Sequence, residues 1–285
     1  MVSIIGASSI IGKKLVKSLK PGDVSLLTYF NNKHGLPSSA HRLDVTDENT
    51  FKIAGRIKNQ IVIVCADLKY SNQEMNHVNI SLREMNSFTK LIFLLHENNN
   101  FIVYLSSQAV FSSEKPRPRI TDLLQPSSSY GFCKLHMENF IRLNLKNYKI
   151  IRFAKVFDLT TTIIKKVIDK HYSKEKLLLR DDWMIAPISS IRASSKIIEI
   201  ISKTARNNQK IIHICCDESI SYLKFFQKLL TVFEMNSSKV SIENINNGPK
   251  RYFDLCLEDS AAEVNLHDLT VQNCLEDLHH MKVLA

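Results

Sequence analysis

The sequence predicts an α/β protein: a Rossmann-like, doubly wound parallel sheet with a small C-terminal substrate-binding lobe. Three observations predict it. Short β-branched runs alternate with longer stretches of helical period. Several of these runs are apolar throughout rather than alternating, as strands covered on both faces are. The first strand-to-helix junction carries Gly6 and Gly12, the punctuation of a tight βα turn.

The elements follow in order. Val2 to Ile5 reads as a strand ending at Gly6, and an apolar-periodic helix follows from Ile10 to Leu19. Pro21-Gly22 stops that helix, and Val24 to Tyr29 resumes strand character. Residues 50–59 read as helical, Ile61 to Cys65 as a buried strand, and a long helix runs from the 70s to His96. Asn98-Asn99-Asn100 punctuates before a strand from Phe101 to Leu105. A Ser/Pro-rich loop over 112–129 leads into a helix from Ser129 to Leu145 and a strand from Lys149 to Phe153. Beyond residue 155 the rhythm loosens: helix 160–171, strand Leu177 to Leu179, helix 191–204, strand Ile211 to Cys215, helix 219–234 and a final helix after Leu269. The expected division is a dinucleotide-binding domain over 1–155 and a mainly substrate-binding lobe over 156–285, with strand 211–215 rejoining the main sheet.

Composition narrows the function classes. With 44% hydrophobic and 23% charged residues in 285, the chain is neither disordered nor fibrous. No apolar run approaches a membrane span, so no membrane partner is expected. The net charge of +10 admits a polyanionic ligand. The basic residues are scattered in ones and twos, so nucleic acid is not expected as a partner. Cys65, Cys133, Cys215, Cys216, Cys256 and Cys274 form no CxxC pair, and read as thiols of a reducing compartment. Met1 to Gly12 lacks a basic leader and cleavage site, and a cytoplasmic protein is expected. His279-His280 lies near Cys274 without a spaced partner set, so no metal is expected.

The glycine turn reads Gly6-Ala7-Ser8-Ser9-Ile10-Ile11-Gly12. A dinucleotide needs a tight turn, close approach of backbone amides to its pyrophosphate, and a helix N-terminus aimed at that charge. Gly6, Ser8, Ser9, Ile10, Ile11 and Gly12 are therefore candidate cofactor contacts. Ser9 stands where a third glycine is usual; its Cβ crowds the phosphate while its hydroxyl offers a donor. The second strand ends Thr28-Tyr29-Phe30-Asn31-Asn32-Lys33-His34, without the acid that holds ribose hydroxyls in NAD sites. Lys33, His34 or Lys13 suits a 2′-phosphate, so NADP is preferred over NAD.

Tyr130 and Lys134, four residues apart at the start of a helix, share one face. Ser107 lies just beyond the strand 101–105, at the end where open sheets bind ligands. A phenol with a pKa of about 10 is a poor proton shuttle at neutral pH, and a neighbouring ammonium draws it toward the working range. Tyr130 would then give a proton to a carbonyl oxygen as hydride arrives, with Ser107 hydrogen-bonding the same oxygen. An isolated Tyr-x-x-x-Lys on a helix carries no such reading. Its weight comes from standing in frame with the glycine turn and a strand-end serine.

These motifs, together with Leu43-Asp44-Val45-Thr46-Asp47, Tyr104-Leu105-Ser106-Ser107-Gln108-Ala109-Val110-Phe111, Pro126 to Lys134 and Ile151-Arg152-Phe153, resemble the extended short-chain dehydrogenase/reductases of the nucleotide-sugar epimerase and dehydratase superfamily. The resemblance is carried by residues 1–155; later residues share only the rhythm and Asp182 to Pro187. It implies Ser107, Tyr130 and Lys134 as a catalytic triad, with Lys134 also holding the nicotinamide ribose. It further implies Asp44 and Val45 beside the adenine, Ala66 in the loop after the fourth strand, and Asn79 on the cofactor side. Gln108 and Lys155 would face the substrate, Lys155 pairing with a diphosphate or standing solvated. A homodimer is compatible with it. Ser9, Cys65-Ala66-Asp67 and Asp158 depart from the family pattern.

The residues after Ser107 separate the reactions. Gln108-Ala109 replaces the Asp-Glu pair by which 4,6-dehydratases eliminate water. Cys133 and His136 do not occupy the loop expected of 3,5-epimerising reductases, and read as a packed thiol and a helix-face histidine. Chain length and the missing acid after the second strand make the chain most similar to the dTDP-4-dehydrorhamnose reductases, which implies hydride transfer from NADPH or NADH to a keto group of a nucleotide-diphosphate sugar. The alternatives are a nucleotide-sugar 4-epimerase that retains NAD, and a non-catalytic dinucleotide-binding regulatory subunit.

Overall fold

The computed structural model describes residues 1–68, 81–173, 177–203, 208–235, 242–245 and 248–284. In chain order the elements are β1 (Val2–Ile5), α1 (Ile10–Ser18), β2 (Val24–Tyr29), β3 (His41–Arg42), β4 (Ile61–Val64), α2 (Leu82–Glu97), β5 (Phe101–Ser107), α3 (Ser129–Asn144) and β6 (Tyr148–Phe153). There follow β7 (Val156–Phe157), α4 (Thr162–Ser173), β8 (Leu177–Arg180), β9 (Trp183–Ile185), β10 (Ile188–Ser189), α5 (Ser190–Ser202) and β11 (Ile211–Ile214). The chain closes with β12 (Ile220–Ser221), α6 (Tyr222–Val232), β13 (Ile242–Ile245), β14 (Arg251–Phe253) and α7 (Val271–Val283).

Among the described residues the main sheet has seven strands in the order β11-β6-β5-β4-β1-β2-β3. The pairings β1–β2, β1–β4, β2–β3 and β4–β5 are parallel. The order reverses between β1 and β4, which is the doubly wound arrangement. The strand at 211–214 lies in this sheet, beside β6.

The chain divides into two compact units. One comprises Met1–Ser112, Leu123–Arg152 and Ser194–Ile212; the other comprises Ser113–Asp122, Phe153–Ala193 and His213–Ala285. The core of the first joins Ile5, Val62, Val64, Ile102 and Tyr104 of the sheet to Phe88, Leu91 and Ile92 of α2 and Met137 and Ile141 of α3. Uninterrupted apolar strands are thus covered by apolar helix stripes. The second unit packs Phe157 face to face on Phe225, with Phe226 edge-on to both.

Three expected elements differ in form, and the short strands β3, β7, β9, β10, β12, β13 and β14 were not expected. The helical stretch expected over 50–59 is a 3-10 one over residues 48–56, opening where Asp47 accepts from the Asn49 amide. The long helix begins at Leu82 behind a capping box of Ser81 and Glu84, and residues 69–80, where its start was expected, lie outside the described residues. Strand β5 runs through Ser107, so that serine ends the strand instead of following it.

Candidate active site

The switch point between β1 and β4 is where ligands of open α/β sheets bind, beyond the carboxyl ends of the strands. The chain leaves β1 at Gly6 with φ of +83°. A Cβ there would stand 2.6 Å from the Ala66 nitrogen and 2.7 Å from its Cα, so this turn and the loop after β4 meet backbone to backbone. At Gly12 a Cβ would stand 2.6 Å from the Gly6 carbonyl oxygen, so α1 rests on its own entry turn. The Gly6 amide donates to the Thr28 hydroxyl at 3.0 Å and the Ala7 amide to the Thr28 carbonyl at 2.7 Å, tying the turn to β2.

Ser9 caps α1: its hydroxyl oxygen accepts from the Gly12 amide at 3.0 Å. Its oxygen therefore serves the helix, a role that sequence reasoning did not give it. The amides of Ile10 and Ile11 are orphan donors of the first turn, and Ser8 stands half-buried beside them.

Beyond β2, Lys33 is half-buried; its ammonium donates to the Ser38 carbonyl at 2.7 Å and lies 5.7 Å from the Tyr29 ring centre. The parallel strand β3 sets Arg42 in register with Tyr29, its guanidinium 5.7 Å from the Phe30 ring centre. Arg42 thereby joins Lys33 at the end of β2. Sequence reasoning missed it because a two-residue strand shows no period. Asp44 accepts at one oxygen from the Thr46 amide and hydroxyl, at 2.9 and 2.7 Å, and so shapes its own turn. Val45 is buried beside it.

Ser107 closes β5 and caps the short 3-10 turn Gln108–Val110. Its hydroxyl donates to Gln108 Oε1 at 2.6 Å and accepts from the Ala109 amide at 3.2 Å. Helix α3 begins one residue before Tyr130, capped by Ser128 accepting from the Gly131 amide at 3.1 Å. The helix brings Lys134 under Tyr130, its ammonium 5.7 Å from the phenol ring centre. Lys134 is 4% exposed. Its ammonium donates to the Leu105 carbonyl at 2.9 Å, pairs with the Asp67 carboxylate at 2.8 Å and lies 4.9 Å from the Tyr104 ring centre.

Burial pushes the Tyr130 phenol above the ordinary tyrosine range; Lys134 pulls it down, Asp67 pushes it up again, and a hydrogen bond with Ser107 pulls it down. The expectation of a net downward pull from Lys134 is therefore corrected. Desolvation outweighs the ammonium, whose charge is shared with Asp67. Burial likewise pushes the Cys65 thiol up to about 12.

Beneath the three residues lies a buried ion pair. Arg152 of β6 meets Glu138 of α3 through Nε at 3.0 Å and Nη2 at 2.7 Å, and the Ser106 hydroxyl donates to the same carboxylate at 2.5 Å. It ties β5, α3 and β6 together at Ser106, the residue before Ser107. Cys133 is buried in the core, on the inner side of α3.

In the second unit Lys155 is exposed, and desolvation by nearby protein lowers its pKa. Asp158 accepts from the Thr160 amide and hydroxyl and from the Ser190 hydroxyl, the last at 2.5 Å. This carboxylate in place of a family glycine organises its own loop. Asn79 lies outside the described residues. Among the described residues no group of His, Cys, Asp and Glu is placed to hold a metal ion, and no helix is long and apolar enough to cross a membrane.

Comparison with curated proteins finds no match. Among solved structures the fold is similar to a dTDP-4-dehydrorhamnose reductase from Bacillus anthracis in complex with NADP, at 19% identity and a TM-score of 0.80, covering 97% of each chain. It is also similar to a UDP-galactose 4-epimerase at 15% identity and a TM-score of 0.79, over 99% of this chain and 98% of the other. A dTDP-glucose 4,6-dehydratase from Streptomyces venezuelae with NAD bound matches at 12% identity and a TM-score of 0.79, over 99% and 97%. Three chemistries share one fold, so the fold does not choose among them. The family is fixed by sequence pattern instead: a family model, the RmlD substrate binding domain, matches residues 1–251, and the chain belongs to that family.

Proposed function

We propose that this protein is an NAD(P)-dependent reductase that transfers hydride to a keto group of a nucleotide-linked sugar, with NADP(H) as preferred cofactor. The observation that carries the reading is the convergence of Ser107, Tyr130 and Lys134 at the carboxyl end of β5, in the same unit as the glycine turn. That turn suits a dinucleotide: Gly6 and Gly12 let it close tightly on neighbouring backbone, and the Ile10 and Ile11 amides stand at the helix N-terminus as donors for pyrophosphate. Gly6, Ser8, Ser9, Ile10, Ile11 and Gly12 would cradle the pyrophosphate, Asp44 and Val45 the adenine side, and Ala66, Asn79 and Lys134 the nicotinamide side. Lys33 would meet the 2′-phosphate. Bound there, the dinucleotide supplies the hydride.

The chain's own residues supply the rest. Tyr130 gives its proton to the carbonyl oxygen as negative charge develops on it. Ser107 exchanges its hydrogen bond to Gln108 for one to that oxygen. Lys134 steadies the phenolate left behind until solvent returns the proton. Gln108 would face the substrate, and Lys155 would pair with a diphosphate. Gln108-Ala109 offers no acid and base for dehydration, and no carboxylate ends β2, which supports reduction over the other chemistries of this fold. The six cysteines are free, which supports a cytoplasmic location.

The test is fluorescence titration of the protein with NADPH and NADH separately, followed by a screen of keto-sugar nucleotides for cofactor oxidation. Reversible, preferential NADPH binding with turnover is the expected result. NAD released only on denaturation would replace the reading with a 4-epimerase, and binding of neither cofactor with a regulatory subunit.

A further inference from the structure

The loop after β4 carries an acid, Asp67, whose carboxylate meets the Lys134 ammonium at 2.8 Å. Lys134 is almost wholly buried, whereas the Asp67 side chain is 30% exposed. Burying an ammonium is costly because desolvation penalises the charged form, and an adjacent anion offsets that cost. Asp67 supplies that anion. The Leu105 carbonyl, at 2.9 Å, receives a second of the three ammonium hydrogens, so the charge is held between the end of β5 and the loop after β4. Asp67 is itself anchored: its carboxylate accepts from the Leu68 amide at 3.0 Å.

We infer that Asp67 is a positioning residue, which fixes the Lys134 ammonium against Leu105 and shares its charge so that Tyr130 stands as a neutral, proton-loaded donor. The charge of Lys134 acts on two aromatic faces, Tyr104 at 4.9 Å and Tyr130 at 5.7 Å. With no carboxylate beside it, that charge would favour the phenolate of Tyr130, which suits withdrawal of a proton from an alcohol. With Asp67 in place the pair is close to neutral as a whole, and the phenol keeps its proton at neutral pH. That protonation state is the one reduction requires.

The groups facing Tyr130 and Lys134 among the described residues come from each neighbouring element. The loop after β4 gives Asp67 and the protonated Cys65, β5 gives Tyr104 and Ser107, and the next turn of α3 gives Glu138. Glu138 is occupied by Arg152 of β6. Asp67 is thus the carboxylate within this set that engages Lys134.

This inference rests on the reading of Tyr130 as proton donor, and its test is separable from that reading. Protein carrying 13C at tyrosine Cζ is titrated by NMR without cofactor, the Tyr130 signal being assigned by its loss in Tyr130→Phe. Asp67→Asn should move the Tyr130 midpoint about one pH unit lower, and Asp67→Glu should leave it near that of the unsubstituted protein. Asp67→Ser, which keeps a small acceptor for the Leu68 amide, should shift it as Asn does and serves if Asn does not fold. The alkaline limb of keto-sugar reduction should move with the midpoint. A midpoint unchanged or raised in both neutral variants would overturn the role of Asp67. Absence of turnover with a displaced midpoint would instead count against the reductase alone.

Discussion

Gly131 lies against the carbonyl of Ala109 so closely that a Cβ built on it would stand 2.8 Å from the carbonyl carbon, and nearer still to the oxygen. Ala109 belongs to the turn capped by Ser107, and Gly131 follows Tyr130. The contact therefore fixes the distance between the strand that ends in the serine and the helix that carries the tyrosine and lysine. Gly131→Ala must push the two apart, since the obstructing atoms are backbone. Reorienting reacting groups by about 1 Å costs on the order of a hundredfold in rate. The expected outcome is a kcat lowered by about that factor with NADPH affinity held within a few-fold. Steady-state kinetics beside a cofactor titration would check it, and undiminished kcat would refute it.

Tyr130→Phe removes the proposed proton donor and leaves the glycine turn intact. Loss of general acid catalysis costs about 10² to 10⁴ in rate. NADPH binding should be unchanged. Lys134→Met should lower both affinity and rate, because the ammonium is assigned to the ribose and to the phenolate. Turnover in Tyr130→Phe equal to that of the parent would remove Tyr130 from the mechanism.

Reduction should be flat through neutral pH and fall only on the alkaline side. Burial holds the folded Tyr130 phenol above its ordinary value, so the donor is still protonated at neutrality and is lost as pH rises through the raised value. In Tyr130→Phe the residual rate should lack this alkaline limb. A pH profile of kcat/KM for both proteins decides it.

On the proposed function, Lys33 and Arg42 at the end of β2 should set the choice of cofactor. Lys33→Glu, and Arg42→Glu beside it, should each weaken NADPH by about tenfold or more through loss of a charge-assisted contact to the 2′-phosphate. NADH, which lacks that phosphate, should be affected much less. Equal weakening of the two cofactors would show that neither residue reads the phosphate.

Glu138→Ala should destabilise the fold by about 3–5 kcal/mol, because Arg152 is left charged and fully buried without its partner. Replacing both, as Glu138→Leu with Arg152→Met, should restore most of the loss. Denaturant unfolding of the single and double variants measures the difference; a single variant as stable as the parent would show that water or another group relieves Arg152.

The sheet and its glycine turn were legible because their signals are local. β-branched runs such as Ile61–Val64 form strands wherever helices cover them, and Gly6 announces a turn that only a residue free of Cβ can make against Ala66. Tyr130 and Lys134 were legible through helical spacing, and Ser107 through its place at the end of an apolar run. What that spacing could not convey was the environment of the phenol. Desolvation depends on every atom around a group, and it reversed the expected sign for Tyr130.

By itself, then, the sequence determined the alternation of the main strands and helices, the glycine turn and the helical spacing of Tyr130 and Lys134, since each depends on residues a few positions apart. Only the tertiary structure decided that Asp67 pairs with Lys134, that Arg42 stands beside Tyr29, that Gly131 seats α3 on the Ser107 turn, and that Arg152 and Glu138 close a buried bridge beneath it. Asp67 and Lys134 are 67 positions apart in the sequence. No periodicity links residues so distant: their meeting is set by how β4, β5 and α3 pack, and the energy of their charges by the water that packing excludes.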